Sequence, residues 1–158
     1  MSTAKPIPEG MTGFIPHLTV KGAARAIEFY KKAFGATERS RHGMPDGSIM
    51  HASIKIGENS LFLNDEYKEM GCISPESLGG SPVYIMLYVP DVDAAFKRAV
   101  DAGAEVKMPV ADQFWGDRYG LLADPFGHYW EIATHKEDVS DEEMQRRGRE
   151  AMAQMTQK

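Results

Sequence analysis

Cysteine is nearly absent: Cys72 stands alone among 158 residues and has no partner for an intrachain disulfide. A reducing compartment fits that usage. No apolar run approaches the ~20 residues that a membrane-spanning helix needs. The first ten residues carry Lys5, Pro6, Pro8 and Glu9 and lack the apolar stretch of a secretory signal. The expectation is a cytoplasmic protein. Positive charge is also in short supply. The net charge is −5, the pI is about 5.5 and the basic residues are scattered, so nothing electrostatic favours nucleic acid. There is no phosphate-cradling loop, dinucleotide fingerprint or serine elbow. What is present is ordinary globular usage, 42% hydrophobic and 26% charged residues, which argues against disorder. The length suits one domain with a real core.

The chain repeats a plan. Residues 14–20 alternate, with Leu18 and Val20 on one side and Ile15, His17 and Thr19 on the other, the period of a half-buried strand. After Gly22 the period becomes helical: Ala23, Ala26, Ile27, Tyr30, Ala33 and Phe34 share a face opposite Arg25, Glu28, Lys31 and Lys32. Gly35 supplies the left-handed stop that glycine takes without steric cost. Strands follow at 37–41, 49–56 and 60–64, separated by the turns Pro45-Asp46-Gly47 and Gly57-Glu58-Asn59. The order then returns. Residues 83–89 are β-rich, Asp91 is an N-cap, Val92, Ala95, Phe96 and Ala99 form an apolar helical face, and Gly103 closes it. Strands follow at 105–109, 118–123 and 128–133, the last two joined through Asp124-Pro125-Phe126-Gly127. Each half reads β-α-β-β-β, with a spacing of about 68 residues between Gly35 and Gly103, an internal duplication.

The fold class expected is α+β: two tandem βαβββ modules forming a curved, cup-like antiparallel or mixed sheet with helices outside, plus a C-terminal helix. Module one spans 13–66, a connecting loop 67–81 and module two 82–135, together a single domain over 1–135, followed by a helical tail over 136–158. Placed edge to edge, the two sheets leave a trough. Its lining follows by alternation: Ile15, His17, Thr19, His51, Ser53 and Phe62 from one half, and Tyr84, Met86, Tyr88, Tyr129, Glu131 and Ala133 from the other. In the tail, Ser140 and Glu143 form a capping box before a narrow stripe of Met144, Gly148, Ala151, Met152 and Met155. Gly148 costs about 1 kcal/mol against alanine, so this helix needs a surface, in its own chain or in a second copy.

These residues resemble a family. The run Val20 to Tyr30, then Phe34-Gly35-Ala36, and later Asp124-Pro125-Phe126-Gly127 before Trp130-Glu131-Ile132, is similar to the vicinal oxygen chelate superfamily of glyoxalases and bleomycin-resistance proteins. Met50-His51-Ala52, Gly79-Gly80-Ser81-Pro82-Val83, residues 112–118 and Ala133-Thr134-His135 resemble its phosphonate-operon B-type branch. The likeness covers about residues 13–147 and implies paired modules and homodimers. It also implies a divalent metal, held by a histidine on the first strand of each half and a glutamate on the last, which orients two vicinal substrate oxygens. Glu131 stands at the glutamate position, seven places after Asp124, whereas the histidine positions fall on Ile15 and Tyr84. His17 lies two residues along, ~6–7 Å by strand rise. A displaced set of His17, His51 and Glu131 is the remaining route to a metal, because two histidines and a carboxylate bind one with open positions. The alternative is that both histidines only hydrogen-bond within the cup.

Three functions stay open on this reading. The first is binding of a small aromatic or cationic compound without chemistry, the second a metal-dependent lyase, isomerase or transferase of glyoxalase type, and the third a metal-free enzyme with Glu131 as catalytic base. Glu131 has a structural alternative in pairing with Arg118 or a histidine. The candidate ligand-binding residues are His17, His51, Tyr84, Tyr88, Trp115 and Arg118: tyrosine hydroxyls as donors, and Trp115 beside Arg118 as a lid over a planar or anionic group. His128 and His135 are expected to be exposed, and Cys72 incidental. The partners expected are a small molecule and a second copy of the chain, with neither nucleic acid nor membrane.

Overall fold

Asp65 and Thr134 show how the duplication is built, since each lies at the end of a sheet strand and caps the helix of its own module. The computed structural model describes residues 4–155. Module one runs β1 (His17–Val20), α1 (Ala23–Phe34), β2 (Thr37–Gly43), β3 (Ile49–Ile56) and β4 (Asn59–Asp65). A 3-10 turn (Lys68–Met70) and a short helix α2 (Pro75–Leu78) then lead into module two. That module runs β5 (Tyr84–Tyr88), α3 (Val92–Asp101), β6 (Glu105–Asp112), β7 (Asp117–Ala123) and β8 (Tyr129–His135), before helix α4 (Asp141–Met155). Asp65 Oδ1 accepts from the amides of Gly22 and Ala23 at 2.8 Å each, and Thr134 Oγ1 accepts from the Val92 amide at 2.9 Å. Both satisfy amides that a helix start leaves unpaired. Asp91 also caps α3, accepting from the Ala94 amide at 3.0 Å. Gly35 ends α1 at φ 66°, as its left-handed role requires.

The sheets have the orders β1-β4-β3-β2 and β5-β8-β7-β6. In each, the first pair is parallel and the other two are antiparallel. These are the two four-stranded mixed sheets, one per module, that the repeated plan leads one to expect. What joins the modules is side-chain packing on the helix side. Leu18, Val20, Ile54 and Ile56 are buried there, and Ile85, Leu87 and Val89 pack against the same cluster. Tyr30 and Phe34 of α1 meet Trp130 of β8 at ring-centroid distances of 5.5 and 4.5 Å. The Tyr30 hydroxyl donates to Asp124 Oδ2 at 2.7 Å, and Trp130 Nε1 donates to the same oxygen at 2.9 Å. Burial and the negative charge of Asp124 push the Tyr30 hydroxyl well above the usual tyrosine value, so it stays a donor. His128, expected to be exposed, is instead part-buried at the seam, its Nε2 3.1 Å from the Thr19 carbonyl oxygen.

The segment between the modules is also more ordered than the connecting loop expected from its glycines. The Glu66 carboxylate organises it, accepting from the Ser74 amide, the Ser74 hydroxyl and the Ser77 hydroxyl at 2.7–2.9 Å. In the tail, Ser140 Oγ accepts from the Glu143 amide at 3.3 Å, while the Glu143 carboxylate turns to Arg146 and Arg147. Half of the capping box therefore forms. The surface that α4 needed is in its own chain: a side chain at Gly148 would sit 3.4 Å from the Phe114 ring. The Met155 side chain lies outside the described residues. Among them, no helix is long and apolar enough to cross a membrane.

Candidate functional site

Each sheet has one face on the shared core and one open face, and the two open faces carry different chemistry. On module one, register places His17 beside Phe62 and Phe62 beside Ser53, with His51 opposite His42 on the next strand. The His17 and His51 rings are 5.6 Å apart, and both contact Phe62, at 5.9 and 4.8 Å. Burial, and then the neighbouring His51, lower the His17 imidazole below its usual value, against a raising hydrogen bond with Asn64. At His17 the face therefore favours the neutral imidazole. Beneath Phe62 the Ser53 hydroxyl is buried and has no hydrogen-bond partner among the described residues.

On module two the open face is aromatic and acidic. Tyr84 of β5 stacks on Tyr129 of β8 at 5.2 Å. Tyr119 of β7 donates to Glu131 Oε1 at 2.9 Å, and burial followed by that carboxylate raises its hydroxyl far above the ordinary range. At the end of the sheet, Asp117 Oδ2 accepts from the Tyr88 hydroxyl at 2.7 Å and from Trp115 Nε1 at 3.1 Å. The Trp115 ring stands edge-on to Tyr119 at 5.6 Å. Among the described residues neither carboxylate is paired with lysine or arginine: Asp117 meets His135, and Glu131 meets Tyr119. Tyr84, Met86 and Tyr88 remain 50%, 36% and 61% exposed. A sheet face of this kind is suited to planar and cationic groups, through stacking, ring quadrupoles and the nearby negative charge.

The residues expected at the site fall into three groups. His17, Tyr84 and Met86 meet along one cleft of about 440 Å³ between the edges of β1 and β5, with Pro16, Ser81 and His128. Tyr88, Trp115 and Glu131 belong to the acidic aromatic face. Arg118 belongs to neither. It lies on the helix side of β7, where its guanidinium forms two hydrogen bonds with Asp93 of α3, at 2.7 and 2.8 Å, and one with Asp112, at 3.1 Å. Its partners are therefore Asp93 and Asp112, and not Glu131. The displaced metal set is not assembled either. His17 and His51 meet each other but not Glu131, and the described residues contain no group of three or more histidine, cysteine, aspartate or glutamate side chains arranged to hold a metal ion. The donor set present does not fit a divalent cation.

Three residues that the sequence pattern does not single out, Asp117, Tyr119 and His42, also lie on these faces. Asp117 and His42 do so because β7 begins one residue before 118 and β2 runs two residues past 41. Tyr119 was recoverable, since it alternates with Arg118 and shares a face with Leu121.

The residues that carry these faces match a known family model. The model described as Glyoxalase/Bleomycin resistance protein/Dioxygenase superfamily aligns with residues 14–132. The chain belongs to this superfamily. Among its relatives, an uncharacterized protein of Mycobacterium tuberculosis, Rv0887c, is 49% identical over 133 residues, covering 82% of this chain and 78% of the relative. The X-ray structure of the Arabidopsis thaliana product At5g48480 superposes with a TM-score of 0.63 at 30% identity, over 77% of this chain and 98% of that one. TioX from Micromonospora superposes with a TM-score of 0.62 at 27% identity, over 78% and 98%. The present chain has the paired-module architecture, with His17 and His51 on one sheet and Glu131 on the other.

Proposed function

We propose that the protein binds a small planar organic molecule, aromatic or cationic, on the open face of module two, and that it works as a cytoplasmic homodimer of the phosphonate-operon B-type branch. The observation that carries this is the composition of that face. Tyr84, Tyr88, Tyr119, Tyr129 and Trp115 surround two carboxylates that no lysine or arginine among the described residues neutralises. In this reading the rings supply the stacking surface, Glu131 receives the positive or N–H end of the ligand, and Tyr88 marks the rim. A second copy has reason to associate, because Phe14 and Val83, outside that face, stay exposed on a single chain and a partner would remove them from water.

The test uses defined probes. N-methylquinolinium and a naphthalene sulfonate of similar size are titrated by calorimetry and by tryptophan emission, with Trp130→Phe to isolate Trp115. The quinolinium is expected to bind, to change Trp115 emission, and to lose about tenfold or more in affinity in Glu131→Gln, the worth of one charge-assisted contact. Equal or tighter binding of the sulfonate, or binding without any change in Trp115, would overturn this assignment.

A further inference from the structure

His135 and Asp117 do a job that the proposed binding role leaves unassigned. Asp117 is buried at the start of β7, and its two oxygens face in different directions. One holds the Tyr88 hydroxyl and the Trp115 indole, both on the open face. The other lies 2.8 Å from His135 Nδ1. The second ring nitrogen, Nε2, is 2.9 Å from Asp138 in the segment leading to α4. The loop that carries Trp115 is tied to that same segment. The amides of Lys136 and Glu137 both donate to the Gly116 carbonyl, at 2.9 and 3.0 Å, and Arg147 of α4 pairs with Glu137 at 2.8 Å.

We propose that Asp117 is the positioning residue of the aromatic face, and that His135 sets its hold on Tyr88 and Trp115 and so couples ligand binding to the C-terminal segment. The physical case is one of preorganisation. Trp115 stands on a loop, and a ligand that had to order its side chain would lose affinity for doing so. Here the indole is fixed beforehand through its N–H. Burial opposes the charge on Asp117, but the hydrogen bonds from His135, Tyr88 and Trp115 outweigh that and hold its carboxyl below the usual range. Asp117 therefore stays an acceptor for both donors. His135 is where the arrangement responds to conditions. Asp138 first, and then Asp117, raise its imidazole above the usual histidine value. The groups facing it are these two carboxylates, with Tyr88 and Trp115 behind Asp117. Glu131, four residues earlier on the same strand, contacts Tyr119 rather than His135. While His135 carries its proton, both ring nitrogens are donors and Asp117 is clamped from behind. When the proton leaves, one of the two contacts must lose its donor.

The proposal deepens the binding reading, and its first readout needs no ligand. The chain has two tryptophans, so 5-fluorotryptophan labelling gives two fluorine resonances, assigned with Trp115→Phe. The Trp115 resonance is expected to titrate with a midpoint above the usual histidine value of about 6.5. It should titrate lower in Asp138→Asn and not at all in His135→Gln. In Asp117→Asn, which keeps the side-chain volume, it should move toward the solvent-exposed position while the Trp130 resonance, reporting the intact core, stays put. A Trp115 resonance that does not respond to pH between 5 and 9 in the parent protein would overturn the role of His135. One unchanged in a folded Asp117→Asn would overturn the role of Asp117. With N-methylquinolinium, His135→Gln should weaken binding about fivefold, one hydrogen bond's net worth. Unchanged affinity there overturns the coupling but leaves the binding reading standing, whereas failure of the parent to bind the probe overturns the reading and leaves the fluorine result intact.

Discussion

Replacing Tyr30 with phenylalanine removes a single oxygen from a side chain with no solvent exposure, and the consequence can be worked from its surroundings. The hydroxyl donates at 2.7 Å to Asp124 Oδ2 across the join between the modules. Asp124 keeps three further donors without it: Trp130 Nε1 at 2.9 Å, and the amides of Phe126 and His128 at 2.9 and 3.0 Å. The carboxylate is therefore weakened rather than orphaned. The cost should be that of one hydrogen bond to a charged group, about 1.5–3 kcal/mol. Asp124→Ala strips all four donors at once, two of them amides in a tight turn, and should cost more, about 3–5 kcal/mol. Because the two side chains touch, the pair should be non-additive, with a coupling of about 1 kcal/mol or more in a Tyr30→Phe/Asp124→Asn cycle. Urea unfolding followed by far-ultraviolet dichroism measures all of this, provided the slope against urea is the same in each variant. A loss below about 0.5 kcal/mol in Tyr30→Phe, or simple additivity in the cycle, would refute the claim that this contact joins the modules.

Gly148→Ala should raise stability by about 0.5–1 kcal/mol, since helix propensity improves and the new methyl would meet Phe114 at 3.4 Å, an ordinary packing distance. A lower melting temperature would show that the Phe114 contact is tighter than it looks. Gly116→Ala should do the reverse. Its φ of 99° and the Glu137 carbonyl beside it leave no room for a methyl, and a loss of about 1–3 kcal/mol is expected, with a shift in Trp115 emission. An emission spectrum unchanged in Gly116→Ala would argue against the tie between that loop and the tail. Glu66 is one contributor to acid stability. Hydrogen bonds from the Ser74 amide, the Ser74 hydroxyl and the Ser77 hydroxyl, with the positive charge of Lys68, overcome desolvation and bring its carboxyl down to about 2. A carboxylate with a depressed folded pKa stabilises above its ordinary value and loses that contribution as pH falls toward the folded one. Between the usual glutamate value of about 4.3 and about 2, the melting temperature should drop less steeply in Glu66→Gln than in the parent. Parallel curves would remove Glu66 from the account.

The architecture was legible because periodicity and capping act locally. Leu18, Val20, Ile54 and Ile56 alternate into the core as their spacing required, and Gly35 and Asp91 sit at the helix ends where their chemistry puts them. Arg118 shows the limit of reading neighbours in sequence as neighbours in space. It follows Trp115 closely, which suggested a shared lid, yet on a strand its parity is that of Gly120 and Leu122, the side that packs on Phe96 and the core. Parity was available in the sequence and outweighs proximity. The ordering of the segment around Glu66 was not available, because its glycines suggested a loop, whereas the carboxylate that folds it lies 8 and 11 residues before the serines it binds.

The metal question turns on a symmetry that only the register exposes. Ala23 and Val92 are the first residues of α1 and α3. Counted from them along the paired strands, His17 corresponds to Met86, and Phe62 to Glu131. The antiparallel pairs Ser53 with Phe62 and Leu121 with Glu131 then make His51 the counterpart of Tyr119. One set of three positions has become two imidazoles around a phenyl ring in module one. In module two the same positions hold a thioether, a phenol and a carboxylate. Neither set holds a transition ion alone: the first has only two ligands, and the second offers one strong ligand already hydrogen-bonded to Tyr119. A site with two histidines and a glutamate needs both faces to converge on one point, and the described residues gather no such group of donors. The divergence therefore left each face a single kind of chemistry. Of the two, the aromatic carboxylate face is complete by itself as a binding surface, which is why the proposed function rests there.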